Sequence, residues 1–224
     1  MTTKEYNAIE SYMLSEMLDS AHDEHHVYRV LNSAMEIADH CEAVDMDVLI
    51  AACLLHDIGR EQQFKDPTLC HAEIGSEMAY EFLLSRGWSS QKAAHVKECI
   101  SAHRFRSDNT PQSIEAKILF DADKLEACGA VGIARTLIYN GQTDEPLYTL
   151  DDSGNIIENV VDPENTSFVQ EYNYKLKNVY NSFYTEHAMK IGKKRQKTAI
   201  DFYNGLIDEI TIGKVGEPHN ENID

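Results

Sequence analysis

The sequence predicts an all-α protein: a helical bundle carrying one small β-hairpin insertion near residues 145–161. Three observations lead there. Apolar residues recur at three- and four-residue spacing in one segment after another, the mark of helices with a single buried stripe. Residues 48–55 are almost wholly apolar, and Ala51, Ala52 and Cys53 are small enough for close packing, so one helix should be buried on every side. Between apolar runs at 147–150 and 156–160 stands Asp151-Asp152-Ser153-Gly154-Asn155, a turn-forming cluster that reads as a hairpin.

Taken in order, residues 4–19 place Ile9, Met13, Leu14, Met17 and Leu18 at helical spacing and read as an amphipathic helix against the core. Residues 22–40 repeat Val27, Val30, Leu31, Ala34, Ile37 and Ala38, which puts His26 on the inward stripe and turns His25 to solvent. Asp45 or Asp47 can cap the buried helix that follows and runs to His56. From 61 to 70 the apolar pattern lapses and Pro67 interrupts any helix, so a loop is expected there, of the kind that often touches substrate. A helix over 71–87 stops at Gly87, and a shorter one over 89–102 leads into His103-Arg104-Phe105-Arg106. Residues 112–137 supply the helical material bearing Asp121, with Gly129 and Gly132 spaced for close approach of a neighbouring helix. Phe168, Val169, Tyr172, Leu176, Val179, Tyr180 and Phe183 mark a long helix, and Ile200, Tyr203, Leu206, Ile207 and Ile210 a final one. Residues 1–213 thus read as a single domain and 214–224 as a flexible C-terminal tail.

Composition sets outer bounds. A chain of 224 residues without a Pro/Gly/Ser-rich linker can build one sizeable core. With 38 acidic against 20 basic residues the formal net charge is -18, a field that repels nucleic acid and anionic membrane surfaces. A small anion stays compatible if positive charge is gathered locally. The N-terminus shows no apolar targeting region, and no apolar run approaches the roughly 20 residues of a membrane span, so the expected location is cytoplasmic. Five cysteines without a C-x-x-C pair read as small buried thiols.

The chemistry is concentrated in His56-Asp57, at the end of the apolar run. Neighbouring side chains inside a helix point about 100° apart, so a His and an Asp that act together belong on a last turn, with Gly59 as the stop. His26 precedes Arg29 by one helical turn, and Asp121 and Asp123 follow Ile118-Leu119-Phe120. Polar side chains in such apolar surroundings are costly to bury without a shared partner, and a divalent cation is one. The earlier His22-Asp23 pair lacks this setting and reads as a chance dipeptide.

On these residues the sequence resembles the HD-domain phosphohydrolase superfamily, whose pattern is a His, a His-Asp pair and a distant Asp on a helical bundle. Asp123-Lys124-Leu125-Glu126-Ala127-Cys128-Gly129 and its continuation to Arg135 resemble small stand-alone bacterial members, and the likeness covers roughly residues 20 to 136. It implies a metal-dependent phosphohydrolase whose ligands are His26, His56, Asp57 and Asp121. This mixed nitrogen and oxygen set leaves coordination positions open and suits Mn, Mg, Fe, Co or Ni better than structural zinc. Asp57 and Asp121 are the expected catalytic carboxylates, one of their free oxygens orienting or deprotonating the attacking water, with Asp121 preferred. His71 and His103 are expected to serve phosphate or water, since a second ion would need a bridging carboxylate.

Arg60, Lys65, Arg104 and Lys124 are the candidate phosphate-binding cations. Arg29 and Arg135 read instead as structural, pairing with acidic groups inside the bundle, and the basic cluster 193–197 as a solvated helix start. The implied substrate is a small phosphorylated metabolite, a nucleotide or deoxynucleotide cleaved at a monoester or pyrophosphate bond; this rests on the resemblance alone, since no glycine-rich phosphate loop is present. A hydrolase of a signalling nucleotide such as a guanosine alarmone, and a non-catalytic metal or nucleotide sensor, are the competing readings. No nucleic-acid or membrane partner is expected, and a homodimer is compatible with the sequence. The hairpin is expected to project as a lid or subunit contact.

Overall fold

In this computed structural model the chain is described over residues 1–17, 24–104, 109–159 and 166–212. Its helices, in order, are α1 (Thr3–Glu16), α2 (Glu24–Ala38), α3 (Met46–Leu55), α4 (Arg60–Lys65), α5 (His71–Ser85), α6 (Ser90–Ser101), α7 (Ile114–Leu125), α8 (Gly129–Gln142), α9 (Phe168–Glu171) and α10 (Glu186–Ile212). The most apolar segment forms the axis: α3 buries Val48, Leu49 and every residue from 51 to 55, and is packed against by α1, α2, α5, α6 and α7. Truncating Leu54 or Leu55, both fully enclosed, to Ala would cost about 2–5 kcal/mol.

Local signals set the ends of these helices. Asp45, not Asp47, caps α3 by accepting from the backbone N–H groups of Asp47 and Val48. Ser89 and Ser113 do the same for α6 and α7, each cap stabilising by about 1 kcal/mol. Helix α5 stops where expected: Gly87 takes φ +86°, its N–H reaches Leu84 O and the Trp88 N–H reaches Leu83 O, the Schellman closure that only a residue tolerant of left-handed φ allows cheaply. Gly59 has a different reason to be glycine. Its φ is an ordinary -86°, but a Cβ there would collide with His71 O and Gly75 N. The turn carrying His56 and Asp57 is thereby pressed directly onto the first turn of α5, which carries His71.

Several expectations are corrected. Residues 61–65 of the expected loop belong to the short helix α4, which follows Gly59 and carries an Lys65–Glu61 pair. The helical material from 112 to 137 is two helices, because the chain turns at 126–128 and Gly129 adopts φ +65°; Gly132 lies against the backbone of Ala127 in its own preceding turn. The long helix expected over 168–183 breaks into α9, a π turn at Tyr172–Leu176 and a 3-10 turn at Val179–Asn181. Asparagine amides compete for the carbonyls here: Asn173 Nδ2 binds Val169 O at 3.1 Å and Asn178 Nδ2 binds Tyr174 O at 3.0 Å. Helix α10 starts well before Ile200, so the basic cluster 193–197 sits inside a helix rather than at its start, and Arg195 turns inward to bind Leu125 O at the end of α7.

The β-hairpin is likewise not formed as a pair of strands. Among the described residues there is a single antiparallel bridge, Leu150 with Ile156, closed by Asp151 N–H to Asn155 O and Ile157 N–H to Thr149 O. The ladder cannot lengthen on the 147–150 side because Pro146 O and Leu147 O accept from Phe168 and Val169 at the start of α9. Leu147 and Leu150 are also exposed, so no apolar face is buried to stabilise strands. The expected tail at 214–224, Leu18, and the His22-Asp23 pair lie outside the described residues.

Two clusters of buried side chains result. The larger surrounds α3; the smaller joins Ile133, Phe168, Tyr172, Leu176 and Ala199, with Ala127 and Tyr180 packed against both. All five cysteines are free, four of them buried. Among the described residues no helix is long and apolar enough to cross a membrane.

Candidate metal centre

Four imidazoles and two carboxylates meet where α2, the α3–α4 turn, α5, the end of α6 and α7 converge. His26 comes from the buried stripe of α2, His56 and Asp57 from the turn after α3, His71 from the first turn of α5, His103 from just beyond α6, and Asp123 from α7. All but Asp123 are buried; its side chain keeps 18% exposure and opens the site to solvent.

Each ring is held from behind. His56 Nδ1 donates to Cys53 O at 2.8 Å, His103 Nδ1 to Ile100 O at 2.6 Å, His71 Nδ1 to Gln63 Oε1 at 2.6 Å and His26 Nδ1 to Glu126 Oε2 at 3.3 Å. A carbonyl can only accept, so the proton lies on Nδ1 and the neutral ring presents an Nε2 lone pair to the interior. The lone pairs meet head-on: His26 Nε2 is 3.3 Å from His56 Nε2, and His71 Nε2 is 3.3 Å from His103 Nε2. Burial is the main cause that lowers the pKa of His56 to about 4 and, with Arg60 adding to it, that of His71 to about 2. His26 moves the other way: burial lowers it, but the neighbouring carboxylates of Asp57 and Glu126 outweigh burial and raise it.

Asp57 lies between the two imidazole pairs. Its Oδ2 faces His26 and His56 at 3.5 and 3.6 Å, and its Oδ1 faces His71 and His103 at 3.5 and 3.6 Å. Arg60 Nε donates to Oδ1 at 3.0 Å, whereas Oδ2 is buried without a hydrogen bond. Burial pushes the Asp57 carboxyl upward, yet Arg60, His56 and the adjacent imidazoles of His103 and His26 hold it well below the usual range. Asp123 is held down similarly against burial, by Lys124, His26 and His56. Two groups of donor atoms follow, each within 4.8 Å: His26, His56 and Asp123, and Asp57, His71 and His103. Asp57 is thus the carboxylate that faces both imidazole pairs.

Asp121 is not among them. It accepts from Tyr184 N at 2.9 Å, Thr185 N at 2.7 Å and Thr185 Oγ1 at 2.7 Å, while Thr185 Oγ1 accepts from Ala188 N. Both carboxylate oxygens are therefore committed to the N-terminus of α10, where an anion is favoured by the free N–H groups and the helix dipole. The carboxylate of α7 that faces the imidazoles is instead Asp123, two positions on and about 200° around the helix.

The candidate cations separate as well. Arg60 reaches Asp57, and Lys124 reaches Asp123 Oδ2 at 3.1 Å while lying over the Phe120 ring. Arg104 Nη1 lies 3.6 Å from Cys70 Sγ, next to His71. Lys65 turns away, 69% exposed and paired with Glu61, because a four-residue step along α4 brings those two together on the outer face. Sequence reasoning missed Asp123, Gln63 and Glu126. A signal for Glu126 was present: Arg29 shares the inward face of His26 and needs a carboxylate partner, which Glu126 supplies at 2.7 Å.

A helical bundle in which a His, an adjacent His-Asp pair and a later Asp converge defines an HD-type hydrolase, and the family model for the HD domain matches residues 24–128. The chain is similar to the uncharacterized protein YpgQ of Bacillus subtilis, 28% identical over 213 residues that make up 92% of this chain and 94% of that protein. The crystal structure of YpgQ in complex with ADP superposes with a TM-score of 0.70 at 26% identity, covering 92% of this chain and 97% of that one. A predicted HD superfamily hydrolase from an uncultured Thermotogales bacterium is 30% identical, with a TM-score of 0.61 over 93% of this chain and 92% of that one. A Lactobacillus plantarum protein shares the fold, at 24% identity and a TM-score of 0.75 over 95% and 99% of the two chains. The chain belongs to the HD superfamily and is a metal-dependent phosphohydrolase of that class.

Proposed function

We propose that this enzyme hydrolyses a phosphate ester or anhydride of a small metabolite, a nucleotide or deoxynucleotide, with His26, His56, Asp57 and Asp123 holding a divalent cation. The observation that carries the reading is the unsatisfied Asp57 Oδ2, buried beside imidazole nitrogens whose protons are on the far side of their rings. Such an arrangement of lone pairs has no internal proton to share and fits a cation. The mixed imidazole and carboxylate donors suit Mn, Fe, Co, Ni or Mg. Asp57 Oδ1, His71 and His103 form the second donor group and hold a second cation in the same reading, so His71 and His103 act as ligands rather than only as phosphate contacts.

A cation bound here supplies Lewis acidity toward a phosphoryl oxygen and acidifies water. The rest is done by side chains. Asp123, ionised and partly open to solvent, orients the attacking water. Arg60, Lys124 and Arg104 bring positive charge to the mouth of the site in a protein whose formal net charge is -18, which draws in a phosphate that the remaining surface repels. The nucleotide assignment is supported by the ADP complex of YpgQ. The test is a panel of nucleotides and phosphomonoesters incubated with chelator-stripped protein and with each metal in turn, products identified by mass. Metal-restored release of phosphate or pyrophosphate from nucleotides is expected; undiminished turnover after stringent chelation would overturn the proposal.

A further inference from the structure

Of the four imidazoles, three donate to neutral oxygens, those of Cys53, Ile100 and Gln63, and one does not. His26 alone is backed by a carboxylate, that of Glu126, which is 2% exposed and sits at the turn where α7 ends and α8 begins. The same Glu126 oxygen accepts from Arg29 Nε at 2.7 Å, and Arg135 Nη1 lies 4.0 Å away. Arg29 is one turn beyond His26 on α2, so a single buried oxygen ties both residues of one helix face to the far side of the site.

We propose that Glu126 is the positioning residue of the centre: it fixes His26 in the Nδ1–H tautomer and sets the ring so that Nε2 points between Asp57 and Asp123. Resting on the metal-centre reading given above, this assigns Glu126 no contact with substrate or cation. A free imidazole can place its proton on either nitrogen, and the Nε2–H form would aim an N–H at His56 Nε2, where a lone pair is needed. The Nδ1 of His26 faces Glu126, at the end of α7, across the bundle. The acceptor comes from another helix. Two guanidinium groups balance the buried charge of that acceptor, which keeps Glu126 ionised and available.

The test uses the full chain. In the metal-free wild type, at a pH where titration shows the His26 ring to be neutral, a long-range 1H–15N spectrum should show it protonated on Nδ1 and bare on Nε2; an Nε2–H tautomer would overturn the proposal. Titration with Mn²⁺ alone should show about 10–100-fold weaker binding for Glu126→Ala and a smaller loss for Glu126→Gln, whose amide oxygen can still accept from His26. A folded Glu126→Ala variant with wild-type Mn²⁺ affinity would also overturn it. Should that variant not fold, the wild-type spectrum decides alone. If the wild type binds no Mn²⁺, the metal-centre reading fails, and the tautomer still reports separately on what Glu126 does to His26.

Discussion

The half of the molecule built from α2 to α7 and the half built from α8 to α10 bury polar groups in opposite ways. In the second half several close local bonds: Ser167 and Gln170 form a reciprocal capping box, Gln170 Nε2 reaches Asn159 O, and Thr185 caps α10 while donating to Asp121. Around Asp57 the polar groups face one another with lone pair toward lone pair. Burial alone therefore does not mark the functional region; mutual dissatisfaction among buried groups does. Asp121 and Asp123 stand on the border, on opposite sides of one helix, the first bonded as in the structural half and the second as in the functional one.

The sharpest way to break that contrast is Asp57→Ala. Since Asp57 belongs to one donor group and its other oxygen faces His26 and His56 of the second, the substitution should abolish turnover and reduce metal content of the purified protein toward zero. Retention of one full equivalent of metal would show that the two groups are independent. Next in size is the pair Asp123→Asn and Asp121→Asn. Asp123→Asn should lower metal affinity and turnover strongly while the metal-free melting temperature stays near that of the wild type. Asp121→Asn should instead lower stability by about 1–3 kcal/mol, through three weakened bonds at the start of α10, with metal affinity kept. Calorimetry and metal titration on both variants would reveal a reversal, and a reversal would return the ligand role to Asp121.

A smaller effect is expected from pH. In the metal-free protein His56 and His71 have folded pKa values lowered from 6.5 to about 4 and about 2. The unfolded chain then binds more protons as pH falls below 6.5, so these two residues contribute stability that is present above that value and lost toward their folded values. His26, raised, has the opposite sign: its contribution is full below 6.5 and lost as pH rises through its folded value. Two depressed rings against one raised ring should leave the stripped protein less stable near pH 5 than near pH 8 in urea unfolding. Greater stability at the acid end would mean that the imidazole pairs are charged in the folded state. The smallest effect belongs to Lys65→Ala, which should leave turnover unchanged and alter stability by no more than about 0.5 kcal/mol, as befits an exposed pair; a large rise in KM would put Lys65 back at the substrate.

Helical period, caps and the apolar run 48–55 were enough to place the bundle, the inward side of His26, the outward side of His25, the stop at Gly87 and the His56-Asp57 turn. These depend on residues close in sequence, where spacing and geometry are linked directly. The choice between Asp121 and Asp123 was not legible, because α7 is covered on one side by α2 and on another by α10, and two buried faces give the same apolar signal. Nor was the break at 172–181, where the tyrosine stack of Tyr172 on Tyr203 and the asparagine amides compete with a pattern that looks helical throughout. The hairpin signal at 151–155 described a real turn but could not tell that Pro146 and Leu147 would give their carbonyls to α9. The sequence by itself determined the main helices of the bundle and the His26 and His56-Asp57 positions on them. Only the tertiary structure decided that Asp57 stands between two imidazole pairs, that Glu126 backs His26 from 100 residues away, and which carboxylate of α7 joins them, because each depends on how separate helices are set against one another.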